Sequence, residues 1–368
     1  MPAYKYQTKE GKNLWYCSFH YADWMGQNKR KKKMGFATRR EALDWERTFL
    51  DKECKNPDIL FSSLVENYMK DCDTHMKPTT LENKQYIYDL KLIPYFGKMK
   101  VSDITPLRVR TWQNELINYK DENGEAYSPT YLKSIHAQLS AILNYAVKYY
   151  NLPGNPCKAT GSMGKGKAAE MKIWTRDQFE QFLPFEKKQG YHCAFNILFY
   201  SGVRASELLA LTPEDVPRDR NVLRINKNFA VVKGVAMFLT PKTERSIREV
   251  SIHKSLHDEI LQYIDDLCLD PEERIFYFTK SGLLKEFHNI SEKAGLEQIR
   301  IHDLRHSHTS MLIDMNIPII QISERLGHEN VETTWKIYAH LYPGKAETVA
   351  DKLGDLFVDE DVDSEDDF

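Results

Sequence analysis

The sequence predicts an α+β protein of several domains: a head of three strands and a helix, a helical bundle, and a larger, mainly α-helical unit with a small β-sheet. Three observations predict it. The 368 residues exceed one ordinary domain. Alternating bulky and polar residues near the start give way, beyond residue 60, to apolar positions at helical spacing. Proline then opens one helical segment after another, and a Gly/Lys stretch near residue 165 separates the bundle from the third unit.

The head is predicted over 1–57. Trp15 to Tyr21 alternates and reads as a strand, 23–28 with Gly26 reads as a turn, and Lys29 to Phe36 reads as the next strand. Thr38 caps a helix from Arg39 to Lys55, with Glu41 at the capping-box position. The bundle is predicted over 58–160. Leu64, Tyr68 and Met69 repeat at helical spacing, and Pro78, Pro106 and Pro129 open helices running to Leu92, Tyr119 and Tyr149. About four helices with short connections make a compact bundle. Residues 161–171, small and basic from Gly161 to Lys167, are expected to be a linker. The third unit, 172–357, should start helical, turn extended around Val222 to Ile252, and end helical. The acidic tail, 358–368, is expected to be disordered.

Apolar content of 42% and charged content of 28% are those of a globular protein with real cores. No apolar run reaches the length of a membrane span, and Met1 to Lys12 is too polar for a secretory leader, so a cytoplasmic location is expected. Cys17, Cys54, Cys72, Cys157, Cys193 and Cys268 are scattered without a CxxC pair. That argues against zinc fingers and a disulfide framework, and for reduced, mostly buried thiols. The net charge of −2 hides an asymmetry: 351–368 carries nine acids against one Lys, so the first 350 residues hold about +6. Ten Lys or Arg face two acids within residues 1–40. A basic head and body suit a nucleic-acid partner.

The chemistry lies in the third unit. In Ser201-Gly-Val-Arg-Ala-Ser-Glu207, Arg204 stands at a helix start, where it can meet an anion, and Glu207 follows at i+3, where it can hold the guanidinium. Taken alone this could be a surface ion pair. Thr240-Pro-Lys-Thr243 is a turn between extended stretches; a lysine on a hairpin tip, as Lys242 would be, is by itself unremarkable. In Ile301-His-Asp-Leu-Arg-His-Ser-His308, His302 and Arg305 share a helix face. Leu326-Gly-His-Glu-Asn330 is followed by Tyr338, ten residues after His328.

The ordered set GxRxxE, KT on a hairpin, HxLRH, LGH and a downstream tyrosine resembles the tyrosine recombinase (phage and conjugative-element integrase) family across 172–342. The head is similar to that family's AP2-like arm-binding domains, and the bundle to its helical core-binding domain. The resemblance implies a site-specific recombinase that cuts and rejoins double-stranded DNA through a 3′-phosphotyrosyl intermediate, without metal or ATP. Arg204 and Arg305 would grip the phosphate, as guanidinium does bidentately, with His328 as a further donor. Tyr338 would be the nucleophile, His302 would assist its proton transfer, and Lys242 would protonate the leaving 5′ oxygen. The bond energy stays in the protein–DNA ester, consistent with the lack of a GxxxxGK[ST] loop. Arm and core attachment sites, a homotetramer on synapsed DNA, an excisionase and a host DNA-bending protein are the partners the resemblance suggests.

Some residues admit rival readings. Tyr342 is a second candidate nucleophile, disfavoured by its distance from His328. His302 and His306 stand at i, i+4, but no HExxH or third ligand supports a metal, and His306 reads as a structural residue or one that supports the site residues from behind. Arg325 reads as a solvated helix residue. The run Lys29, Arg30, Lys31, Lys32, Lys33 is either a solvated strand edge or a DNA contact, the latter favoured by Trp15, Tyr16, Phe19, Tyr21 and Trp24 around it. Val349, Leu353, Leu356 and Phe357 share a helical face that would dock on its own domain or on a neighbouring subunit. Other classes are a housekeeping recombinase resolving chromosome or plasmid dimers, a type IB topoisomerase, and a non-catalytic DNA-binding protein.

Overall fold

The computed structural model describes residues 3–7, 12–22, 28–53, 57–164, 171–241 and 243–338. The chain divides into two compact units, Met1–Ala169 and Glu170–Phe368.

The first unit begins with an antiparallel sheet, β1 (Ala3–Gln7), β2 (Asn13–Ala22) and β3 (Asn28–Phe36), in the order β1-β2-β3. Helix α1 (Arg39–Glu53) follows; Thr38 Oγ1 accepts from the Glu41 N–H at 3.1 Å, and Glu41 reaches back to the Ala37 N–H rather than to Thr38's own. Alternation along β2 sends Cys17 and Phe19 inward against Ala42, with Trp15, Tyr21, Trp45 and Phe49 around them. Among the described residues the bundle comprises α2 (Phe61–Asp73), α3 (Pro78–Ile87), α4 (Ile93–Phe96), α5 (Pro106–Asn118), α6 (Pro129–Tyr149) and α7 (Pro156–Thr160). The helix opened by Pro78 does reach Leu92, but its last turn, Tyr88–Leu92, is π-helical, just ahead of Pro94, which has no N–H to continue the ladder. Thr105, Ser128 and Asn155 cap the helices that follow them with side-chain oxygens. Met163 is buried in this core.

The second unit packs around α9 (Gln189–Ser201), whose residues Cys193 to Phe199 are buried on all sides. Before it comes α8 (Arg176–Phe182), with a Thr175–Gln178 capping box; after it comes α10 (Ala205–Leu208). The extended region is two separate two-stranded sheets: β4 (Val222–Ile225) pairs with β7 (Arg248–Ser251), and β5 (Asn228–Val232) with β6 (Val235–Leu239). The tip of the β5–β6 hairpin is Lys233-Gly234, both with positive φ. Lys242 follows β6 in the chain and lies outside the described residues. Five helices complete the described part: α11 (Lys254–Asp266), α12 (Lys280–Lys293), α13 (Asp303–Asp314), α14 (Ile319–Leu326) and α15 (Val331–Tyr338). Tyr342, the apolar 345–357 segment and the acidic tail lie outside the described residues. Cys17, Cys72, Cys157 and Cys193 are free and buried, Cys268 is free and exposed, and Cys54 lies outside the described residues.

Candidate active site

The site is built from the C-terminal end of α9 onward. Gly202 ends α9 in the left-handed conformation (φ +69°), and a Cβ there would come within 2.5 Å of the His308 ring. Glycine is thus required by both backbone and space. The chain turns sharply and delivers Arg204 to the start of α10. That helix is a single turn, so its end adds little field, and what positions Arg204 is Glu207. The Glu207 carboxylate accepts from Arg204 Nη1 at 2.7 Å and from the Arg204 backbone N–H at 2.9 Å. From the other side it accepts both Nη groups of Arg248 on β7, at 3.3 and 3.0 Å. Burial alone would raise the Glu207 pKa, but Arg248 and Arg204 outweigh it and hold the carboxyl below its usual range. Arg204 keeps a third of its side chain open to solvent (34%), while Arg248 is covered.

Arg305, on the first turn of α13, lies buried beneath. Its Nη1 donates to the Gly202 carbonyl at 2.7 Å and its Nη2 to the Leu326 carbonyl at 2.6 Å, tying the ends of α9 and α14 together. Burial, then Arg204, lowers its pKa but leaves a cation at neutral pH. Gly327 ends α14 with φ +67°, and its neighbour His328 sets Nδ1 2.7 Å from Thr334 Oγ1, which leaves Nε2 for a ligand. Arg204, Glu207, Asn228, Thr243, Ser246, Gly327 and His328 line one cleft of about 340 Å³. His302 caps α13 at an exposed position; crowding by protein, then His306, Arg305 and Arg204, pulls its pKa down to about 4. Burial, Arg305 and Arg204 do the same to His328, also to about 4. Both imidazoles are neutral at pH 7, and an anion in the cleft would favour their charged forms.

Tyr338 ends α15 with its side chain buried against Ile313, Ile322 and Leu326. Its hydroxyl meets His306 Nδ1, Thr309 also bonds it, and Arg305 is close enough to lower its pKa, although burial wins and raises it. Of the sequence-predicted residues, Arg204 and His328 line the cleft, Arg305 bonds the carbonyls of Gly202 and Leu326 beside it, and His302 and Tyr338 meet at α13, His302 at its start and Tyr338 through His306. Lys242 is not described, but its neighbour Thr243 is on the cleft wall.

Two residues, Arg325 and His306, were read too plainly from sequence, and Arg248 was not singled out at all. Arg325 is not a solvated residue. Its Nε donates to His308 Nε2 at 3.1 Å, and Nη1 and Nη2 donate to the carbonyls of Ser251 and Tyr200, at 2.9 and 3.2 Å. Arg248 carried no local signal, because its partner Glu207 lies 41 residues away. His306, adjacent to the HxLR signal, faces the phenol of Tyr338. In the head, the basic run divides between two faces. Lys31 and Lys33 pair with Phe19 and Cys17 on the helix side, over Phe49 and Trp45. Arg30 and Lys32 lie on the opposite, open side, with Arg30 on Ser18 Oγ at 3.2 Å and Lys32 over Tyr16.

Known proteins match along the chain. The family described as "Phage integrase family" matches residues 172–345, "Phage integrase, N-terminal SAM-like domain" matches 60–117, and "Arm DNA-binding domain" matches 3–52. The ICEBs1 integrase of Bacillus subtilis is 30% identical over 342 residues, covering 87% of this chain and 91% of that one. The Tn1549 transposon integrase, solved in complex with transposon right end DNA, shares the fold at 18% identity and a TM-score of 0.63, over 80% of this chain and 99% of that one. A lambda integrase tetramer bound to a Holliday junction does so at 15% identity and 0.55, over 89% and 92%.

Proposed function

The chain belongs to the phage integrase family of tyrosine recombinases, enzymes that cleave and rejoin DNA, and from that premise we propose that it integrates and excises a mobile element between attachment sites. The observation that carries the catalytic part is the meeting of Tyr338 with α13 beside Arg305, while Arg204 and His328 line the adjoining cleft. The full domain series supports the element-borne role. A head with its own aromatic core precedes the bundle, and the ICEBs1 relative is an element integrase by name.

In this reading a scissile phosphate enters the cleft. Arg204, held by Glu207, and His328, through Nε2, donate to its non-bridging oxygens. Arg305 supplies positive potential from below, and His302 gains a proton or a hydrogen bond as the phosphate arrives. Such donors act where charge develops; losing one costs about 3 kcal/mol of barrier in comparable anion sites. Tyr338 attacks phosphorus, the 3′-phosphotyrosyl ester forms, and Lys242 protonates the leaving 5′ oxygen. Reversal by another 5′ hydroxyl rejoins the strand without ATP. Arm and core DNA bind separate parts of one chain, and four protomers act on two duplexes. An excisionase and a host bending protein would choose the direction.

Two measurements test this. Tyr338→Phe should abolish covalent trapping of a nicked suicide duplex while leaving DNA binding intact; retained trapping ends the assignment. Footprinting on the ends of the encoding element should show separate arm and core protection. A single protected core would instead favour the housekeeping role.

A further inference from the structure

Resting on the assignment of Tyr338 as nucleophile, we infer that His306, rather than His302, is the base that takes the phenol proton during cleavage and returns it during rejoining. The geometry separates the two histidines. They occupy successive turns of one helix start, with ring centroids 5.2 Å apart in a T-shaped contact. His302 is exposed and lies within the field of Arg305 and Arg204. His306 is half-buried, and its Nδ1 is in hydrogen-bond contact with the Tyr338 hydroxyl.

The surroundings suit proton transfer there. Burial raises the phenol above its already high ordinary value, so spontaneous phenolate is scarce and an acceptor in direct contact is required. Thr309 Oγ1 donates to the Arg305 carbonyl at 2.9 Å and keeps its own oxygen beside the phenol, and the Arg305 guanidinium stabilises the phenolate as it forms. His306 itself is pulled below its usual range by burial, so it is neutral at pH 7 and its Nδ1 lone pair is free to accept when Nε2 carries the proton. The charged and titratable groups around it are Asp303, which favours its protonation, Arg300 and Arg305, which oppose it, and the neighbouring imidazoles of His302 and His328.

The step balances. The phenol O–H bond breaks, its proton goes to Nδ1, and the electron pair left on oxygen forms the new O–P bond. The P–O5′ bond breaks, and O5′ takes its proton from Lys242. In rejoining, the 5′ hydroxyl gives its proton to the Lys242 amine as its oxygen bonds phosphorus, the P–O bond to Tyr338 breaks, and the imidazolium returns its proton to the departing phenolate.

The test measures single-turnover formation of the covalent complex by the full chain, on a phosphodiester suicide duplex and on one with a 5′-bridging sulfur, whose leaving group needs no proton. His306→Ala and His306→Asn should each slow cleavage by about 10²-fold or more on both substrates. The deficit should narrow at alkaline pH, where hydroxide can ionise the phenol. Lys242→Ala, by contrast, should recover on the sulfur substrate. Asn can still accept a hydrogen bond near the Nδ1 position but cannot take up a proton, so wild-type rates in His306→Asn would overturn the inference. So would a deficit that is constant across pH, or one repaired by the sulfur leaving group. If His306→Ala does not fold, His306→Asn carries the test. Normal trapping by both His306 variants, alongside none by Tyr338→Phe, would remove this inference and leave the proposed function standing.

Discussion

Glu207 is the residue on which the cleft's geometry turns. Its carboxylate is 2% exposed and serves two guanidinium groups at once, one of which, Arg248, is 7% exposed. A buried ion pair adds little net stability over an apolar pair, but breaking it leaves a stranded charge. Glu207→Gln keeps the volume and removes the charge. The unfolding free energy from urea titration should fall by about 3–5 kcal/mol, with cleavage lost as Arg204 is released. An unchanged urea midpoint would show that Arg248 finds other partners. The local half of this arrangement was legible in sequence, since Arg204 and Glu207 sit three apart. Arg248 was not, because no local period connects β7 to α10. Arg325 failed for the same reason: its three acceptors come from α13, the end of β7 and α9, and nothing in a helical wheel of α14 reports them.

At the scale of elements, the helices were legible because proline marks their first turns and because α2, α6 and α11 each bury one face. Helix α9 offers no such stripe, being buried all round from Cys193 to Phe199, and is recognisable only as the centre of a core. The strands from Val222 to Ser251 read as one extended region, whereas Lys233-Gly234 closes one hairpin and β7 returns to β4. A Lys-Gly pair between apolar runs is a two-residue turn signal with φ positive at both positions, and it marks where the hairpin lies. Strand β3 yields a sharper expectation than its composition did. Five consecutive basic residues on a strand cannot share one face. If the open face meets DNA, Arg30→Gln with Lys32→Gln should weaken arm-site binding and lower its salt slope by about 2, one for each phosphate that is no longer neutralised. Lys31→Gln with Lys33→Gln should lower the slope less and instead reduce stability, since those ammonium groups lie over Phe49 and Trp45. Equal slopes for the two double variants, read by filter binding across a salt series, would refute a one-sided interface.

At the scale of the whole molecule, the two compact units have separate cores, and every described residue of the cleft belongs to the second. The described cleft and the basic excess of residues 1–40 thus lie in different parts of the chain. The basic excess of residues 1–40 belongs to the first unit and the acidic tail to the second, so the net charge of −2 describes neither. A fragment of residues 170–368 retains the α9-centred core and should fold alone with a cooperative thermal transition. It should still form the covalent complex on a suicide duplex at high protein concentration, because Arg204, Arg305, His328 and Tyr338 are all present. Its affinity should fall steeply, and the slope of log K against log salt should flatten by about 0.9 for every phosphate that the first unit neutralises in the full chain. A fragment that folds and binds with the full-length salt slope would mean that the basic head and the bundle neutralise no phosphates. A fragment that folds and binds but never traps would mean that the cleft needs the first unit to complete it.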